Sequence, residues 1–345
     1  MQALQLTEYR QLELTDLERP TVGPDDVLVG IRACGICGSD IHGYDGSTGR
    51  RQPPLVMGHE SAGVVAEVGA NVTRTSVGDH VALDSLLSCG KCELCRNGQT
   101  NMCAGRRILG VACDEFRQPG AFAEYIVVPQ QAIYPVPSDL PFEHAALVEP
   151  VSVALHAVSR LRINLGDSAA VVGSGMIGLL VVQSLKIAGC EEVIAIDLDD
   201  NRLRLARELG ATFTVNPSQS NAVETVLERT GGGVDVSLEV VGAAQPLATA
   251  IGCTRRGGQI GLVGNLSAEV PLPLQTVVVR ELTLVGTLAS AGEYPRAIEL
   301  IASGAMKVAP LISAIAPLAE GPQWFERLYN RESGLLKVVL CPPTS

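Results

Sequence analysis

From about residue 145 onward, short apolar runs rich in β-branched residues alternate with stretches of helical period, a rhythm that few folds can accommodate. The runs are Ser168-Ala-Ala-Val-Val172, Glu192-Val-Ile-Ala-Ile196, Thr212-Phe-Thr-Val215, Val234-Asp-Val-Ser-Leu238, Gly258-Gln-Ile-Gly-Leu-Val263 and Glu281-Leu-Thr-Leu-Val285. Strands of this kind need cover on both faces, so with intervening helices they predict a doubly wound parallel sheet of the α/β class. The preceding part reads differently. Between residues 19 and 141, prolines such as Pro20, Pro24, Pro53, Pro54, Pro119 and Pro129 punctuate β-like runs, among them Val27-Leu-Val-Gly-Ile31, Gly63-Val-Val-Ala-Glu-Val68 and Phe122-Ala-Glu-Tyr-Ile-Val-Val128. That pattern predicts a compact β-rich domain. Beyond Ser290, Tyr294 to Ser303 reads as a helix and Leu335-Leu-Lys-Val-Val-Leu340 as a closing strand. The chain has 345 residues, 46% of them hydrophobic, enough to bury the cores of two domains.

Gly173-Ser-Gly175-Met176-Ile177-Gly178 directly follows the first apolar run and opens a helical stretch, Leu179 to Ala188. The first glycine permits a tight turn, the second lets backbone approach a pyrophosphate, and the third allows close helix packing. The motif alone also describes an ordinary strand-to-helix turn. Asp197 strengthens the dinucleotide reading, because it ends the second run, where a carboxylate can accept both ribose hydroxyls. Its charge, with Asp199 and Asp200 nearby, opposes a 2′-phosphate, so NAD is expected rather than NADP. Arg202 is the countervailing residue, open to reading as a ribose contact or as a solvated helix charge.

Cys89, Cys92, Cys95 and Cys103 crowd into one loop, with two-residue spacers and with Gly90 and Gly98 to turn the chain. Four thiolates about 2.3 Å from one Zn²⁺ need such short turns. Disulfides are the competing reading for a chain with ten cysteines. The N-terminus, Met1 to Arg10, has no basic region followed by an apolar run, and no stretch of about 18 uncharged apolar residues occurs. A cytoplasmic, reducing setting without membrane partners is therefore expected, and there clustered cysteines favour a structural zinc. A nucleic-acid-binding zinc finger is disfavoured by a net charge of -11, which repels phosphate.

Cys37, in Cys37-Gly-Ser39-Asp40-Ile-His42, and His59-Glu60, in Gly58-His59-Glu60, offer a thiolate, an imidazole and a carboxylate. A catalytic zinc needs about three protein ligands and one open position, which such a set can provide. Taken singly, a cysteine is usually a small buried apolar group and a histidine a hydrogen-bonded structural residue.

These segments, with the cysteine quartet, Leu147-Val-Glu149-Pro150 and the glycine motif, occur in the order seen in zinc-dependent medium-chain alcohol and polyol dehydrogenases, and the chain resembles that family over nearly its whole length. The resemblance implies a GroES-like β-barrel catalytic domain from residues 1–150 and 290–345, and a Rossmann NAD-binding domain from 151–289. It implies two zincs per chain, one structural on the quartet and one catalytic on Cys37 and His59. Glu60 resembles a carboxylate that binds zinc directly or exchanges with water beside it. Glu149 stands where the alcohol dehydrogenase branch has a cysteine; the Glu-Pro pair is similar to the sorbitol dehydrogenase-like branch, where it coordinates zinc or holds a neighbouring water. Asp40 resembles the residue that orients the zinc-bound imidazole. Ser39 resembles the hydroxyl that takes the substrate proton, which passes through the nicotinamide ribose to His42 and solvent. Val263, Thr287 and Ala289 match positions whose backbone holds the nicotinamide carboxamide.

The expected activity is reversible oxidation of a secondary alcohol, a polyol or sugar alcohol, to the ketone. Two dibasic pairs, Arg50-Arg51 and Arg106-Arg107, would favour a phosphorylated or acidic substrate if they reach the site, and otherwise read as solvated charges. Alternatives are threonine 3-dehydrogenase-like oxidation of an amino alcohol and a non-catalytic zinc and nucleotide module. The family forms homodimers and homotetramers, and Val277-Val-Val279 suggests a strand that extends the sheet across a two-fold axis.

Overall fold

The computed structural model describes residues 1–343. Two compact units divide the chain: Met1–Glu149 together with the chain from Tyr294 onward, and Pro150–Glu293.

The first unit is built on a seven-stranded, largely antiparallel sheet. Its N-terminal elements are β1 (Asp26–Gly35), the short helix α1 (Gly38–Tyr44), β2 (Glu60–Val68), β3 (His80–Leu83), β4 (Tyr125–Pro129) and β5 (Ile133–Pro135). The order runs β5-β3-β2-β1 and continues into the strands Lys337–Cys341 and Ile312–Pro317, while β4 also pairs with β1. The run expected from Phe122 is strand only from Tyr125. Phe122 instead turns into the core, fully buried and edge-on to Phe325 at 5.8 Å between ring centroids.

The second unit is a six-stranded sheet, parallel throughout: β6 (Ser168–Val172), β7 (Glu192–Ile196), β8 (Phe213–Val215), β9 (Val234–Glu239), β10 (Thr254–Leu262) and β11 (Thr283–Gly286). Its order is β8-β7-β6-β9-β10-β11, the doubly wound Rossmann arrangement with a switch point between β6 and β9. All six apolar runs become strands, since burial of Val171, Ile194, Val236 and Ile260 rewards an extended segment covered on both sides. Helix α2 (Met176–Ile187) follows β6 and buries Leu179 to Leu185 without a break.

One expectation fails. Val277–Val279 lie in a helix, α3 (Leu274–Val279), rather than extending the sheet, and the edge is β11. Branched side chains favour strands only when a neighbouring strand is there to pack on. Here Pro273 starts a helix with none of its residues buried, and Leu274, Val278 and Val279 are 60% exposed or more.

A methyl group at Gly178 would lie 1.8 Å from the Gly173 carbonyl oxygen, so α2 packs on the preceding loop only with glycine there. Gly178→Ala should therefore cost about 1–3 kcal/mol, read as a lower denaturation midpoint by circular dichroism. An unchanged midpoint would show that this contact is not tight in solution.

Candidate metal centre and dinucleotide loop

Cys37 sits at the N-cap of α1, two residues beyond the end of β1, and His59 immediately precedes β2. In the antiparallel register Gly35 faces Glu60, which brings the two segments together at one edge of the sheet. The ligand atoms of Cys37, His59 and Glu60 lie within 4.8 Å of one another. His59 and Glu60 are almost wholly buried.

The electrostatics ask for a cation. Burial works against a charged His59, yet Asp40 and Cys37 outweigh it and hold the imidazole pKa well above its ordinary value. Burial likewise raises Asp40, but His59 and Arg51 prevail and hold it far below the usual carboxylate range. Asp40 Oδ1 lies 3.4 Å from His59 Nδ1, which is buried and lacks an aligned hydrogen bond. With Nδ1 turned to Asp40, the other ring nitrogen is left for a ligand. A soft thiolate, an imidazole and a carboxylate on one buried point fit zinc.

Lys337 was not singled out from the sequence, and it clamps this site. Its Nζ donates to both Glu60 oxygens, at 2.8 and 2.5 Å, and to the Ile36 carbonyl at 2.8 Å. A methyl group at Gly35 would lie 2.3 Å from Glu60 Oε2, so glycine makes room for the pair. The available signal was a lone lysine inside the apolar closing run Leu335 to Leu340.

Glu149 stands apart from the three-ligand group. It lies in the first turn of the helix Val148–Ser159 and accepts from Ser85 Oγ at 2.8 Å. Burial raises its pKa, with His59 opposing and Glu60 adding. Ser39 is exposed on α1 and accepts from Arg51 Nη2 at 3.3 Å; His42, exposed, is three residues on, on the same side of the helix. Arg51 is buried against Asp40 and Arg106 donates to the Cys103 carbonyl, which leaves Arg50 and Arg107 as the exposed members of the two pairs.

The quartet forms a second cluster. Cys92 Sγ and Cys89 Sγ lie 3.4 and 3.9 Å from Cys95 Sγ, and all four sulfurs fall within 4.8 Å. Tetrahedral ligands at about 2.3 Å are separated by about 3.8 Å, whereas a disulfide needs about 2.05 Å. All ten cysteines are free. The cluster thus fits zinc and is closed by its four thiolates.

On the second unit, Gly173 has φ +101° and Gly175 has nothing within 4 Å of where a methyl group would stand, an open cradle beside Met176 and Ile177 at the start of α2. Ser174 Oγ is buried without a partner. Asp197, just past β7, accepts from the backbone N–H of Ser174 at 2.6 Å and of Asp199 at 2.9 Å, which fastens it to the glycine loop. Arg202 is 3.9 Å from Asp199 and 40% exposed. Val263 and Thr287 follow β10 and β11, with Thr287 N–H bonded to the Leu262 carbonyl, and Ala289 takes a left-handed φ of 48°. These are carboxyl ends of parallel strands, where doubly wound sheets bind ligands.

The two clusters separate by mutation. Cys95→Ala should remove one zinc of two and lower the melting temperature by roughly 10 °C, because a structural metal contributes directly to folding. Cys37→Ala should also remove one zinc, with a much smaller thermal effect and no turnover. Zinc analysis with thermal melts checks this, and two zincs retained in Cys95→Ala would overturn the structural assignment.

Residues 23–138 match the family "Alcohol dehydrogenase GroES-like domain", and residues 177–303 match "Zinc-binding dehydrogenase". Sorbitol dehydrogenase of Bacillus subtilis is 35% identical, with 99% of this chain and 97% of that one covered. L-threonine 3-dehydrogenase of Symbiobacterium thermophilum is 37% identical over 95% of this chain and 94% of the other. Among solved structures, a zinc-binding dehydrogenase of Sinorhizobium meliloti bound to NADP superposes with TM-score 0.91 at 34% identity, covering 99% of each chain. The GroES-like and Rossmann halves are thereby accounted for, and the chain belongs to the zinc-dependent medium-chain alcohol and polyol dehydrogenases.

Proposed function

We propose that this enzyme oxidises a secondary hydroxyl of a polyol or sugar alcohol, neutral, phosphorylated or acidic, to the ketone, with NAD as hydride acceptor. The observation that carries the reading is the convergence of Cys37, His59 and Glu60 on one buried point, with Ser39 two residues from Cys37. Bound there, zinc supplies the Lewis acidity that lowers the alcohol's pKa, and the oxidised nicotinamide supplies the hydride acceptor. Cys37 and His59 hold the metal. Glu60, clamped by Lys337, is the carboxylate beside it, and Glu149, anchored on Ser85, stands ready as a further ligand or as a neighbour to water and substrate hydroxyls. Ser39 takes the alcohol proton as it gives up its own, and His42, exposed on the same side of the helix, passes a proton to solvent. Val263, Thr287 and Ala289 line the nicotinamide end.

The preference for NAD rests on Asp197. Its carboxylate is fixed toward the glycine loop, where it suits ribose hydroxyls and repels a 2′-phosphate, and Arg202 is drawn to Asp199 instead. Threonine is the second reading, favoured by the threonine dehydrogenase relative at 37% identity. For quaternary structure we propose a homodimer or homotetramer joined through the β11 edge and the exposed apolar face of α3. The ten free thiols favour a reducing, cytoplasmic setting. Among the described residues no helix is long and apolar enough to cross a membrane.

Assays of NADH formation with sorbitol, xylitol, galactitol, their phosphates, sugar acids and threonine should give highest kcat/KM for a member of the polyol group. Threonine alone as substrate would decide for the second reading. With the best alcohol, NAD should exceed NADP by about 100-fold or more in kcat/KM, and an equal ratio would refute the role given to Asp197. Val279→Glu should lower the sedimentation mass if α3 lies in the interface.

A further inference from the structure

The dibasic segment before the metal centre holds two different arginines. Arg50 is exposed, while Arg51 is 4% exposed and lies beneath α1. Its backbone is pinned: Arg51 bridges to Ala112, and the flanking residues bond that same residue, Gln52 N–H to its carbonyl and its N–H to the Arg50 carbonyl. Its side chain passes Gly43, where a methyl group would stand 2.2 Å from Arg51 Cγ. The guanidinium then makes four bonds. Nε and Nη2 donate to Asp40 Oδ1 at 3.3 and 3.1 Å, Nη1 donates to the Arg50 carbonyl at 3.2 Å, and Nη2 also donates to Ser39 Oγ at 3.3 Å.

Resting on the relay assigned above to Ser39, we propose that Arg51 is a positioning residue for proton transfer, in that one guanidinium fixes the Ser39 hydroxyl directly and the His59 imidazole through Asp40. A serine hydroxyl has one hydrogen to donate and two lone pairs to accept with. Arginine only donates, so Arg51 fills one lone pair. One lone pair and one hydrogen remain, the two openings a relay needs. In the forward reaction the substrate O–H bond breaks as a new Oγ–H bond forms, and the original serine proton leaves toward the His42 side. The fixed positive charge also steadies Oγ while negative charge develops on it. Lysine would supply charge without the planar fork that spans Asp40 and Ser39.

The test is a double-mutant cycle on the zinc-loaded enzyme with its best alcohol and NAD. Arg51→Met should lower kcat by about 10- to 100-fold with KM changed less than about threefold. Two zincs should remain, and the solvent deuterium isotope effect on kcat should increase. In the Ser39→Ala background the same change should cost far less, since its target is gone. Arg51→Lys, which keeps the buried charge paired, should fold and show an intermediate loss, and it stands in for Arg51→Met if that variant is unstable. A loss of kcat that only follows lost zinc, or a full multiplicative loss on top of Ser39→Ala, would overturn the role of Arg51 while leaving the relay intact. Unchanged turnover in Ser39→Ala would instead remove the relay itself and this inference with it.

Discussion

Asp40 has no exposure to solvent and faces three partners, and the candidate metal centre of the first unit is arranged around it. One oxygen takes the Cys37 N–H at 3.2 Å; the other takes two bonds from Arg51 and lies 3.4 Å from His59. Removing one member of a buried charged group costs about 3–5 kcal/mol, because the remainder is left without water or partner. The start of α1, the entry to β2 and the segment that carries Arg51 are therefore held as one piece. Small shifts in any of the three would move the sulfur, the imidazole and the serine hydroxyl together.

The same unit holds two candidate metal sites with opposite chemical character. The quartet surrounds its centre with four like donors from a single short loop, which leaves no position for a substrate. The other gathers a thiolate from the N-cap of α1 and an imidazole and a carboxylate from the entry to β2, three unlike donors rather than four like ones. Lys337 tempers the second cluster. Its ammonium balances Glu60 and keeps that carboxylate from acting as a free anion beside Cys37 and Asp40. A closed site suits stability, and an open, charge-balanced one suits exchange of ligands.

The second unit gathers the ends of its strands by topology. Parallel strands end at the same edge, so the glycine loop after β6, Asp197 after β7, Val263 after β10 and Thr287 after β11, the residues proposed to face the cofactor, share it without any contact among distant side chains being required. Asp197 is further tied to the loop by the Ser174 N–H, which holds the carboxylate before any cofactor arrives.

Features encoded in neighbouring residues could be read directly from the chain. The six strands of the Rossmann sheet, the glycine turn that opens the helix after the first of them, and the clustering of the quartet depend on local period, turn geometry and spacing, and each is present. Features that depend on which distant groups meet could not. Lys337 reaches Glu60 across 277 residues, Arg51 proved to be an internal partner of Asp40 rather than a surface charge, and Val277–Val279 lie in a helix that starts after Pro273. Period and spacing report how a segment bends and which face it buries. They do not report which charges are neutralised, because that is settled by the register of strands far apart in the chain and by the cost of leaving a charge buried alone.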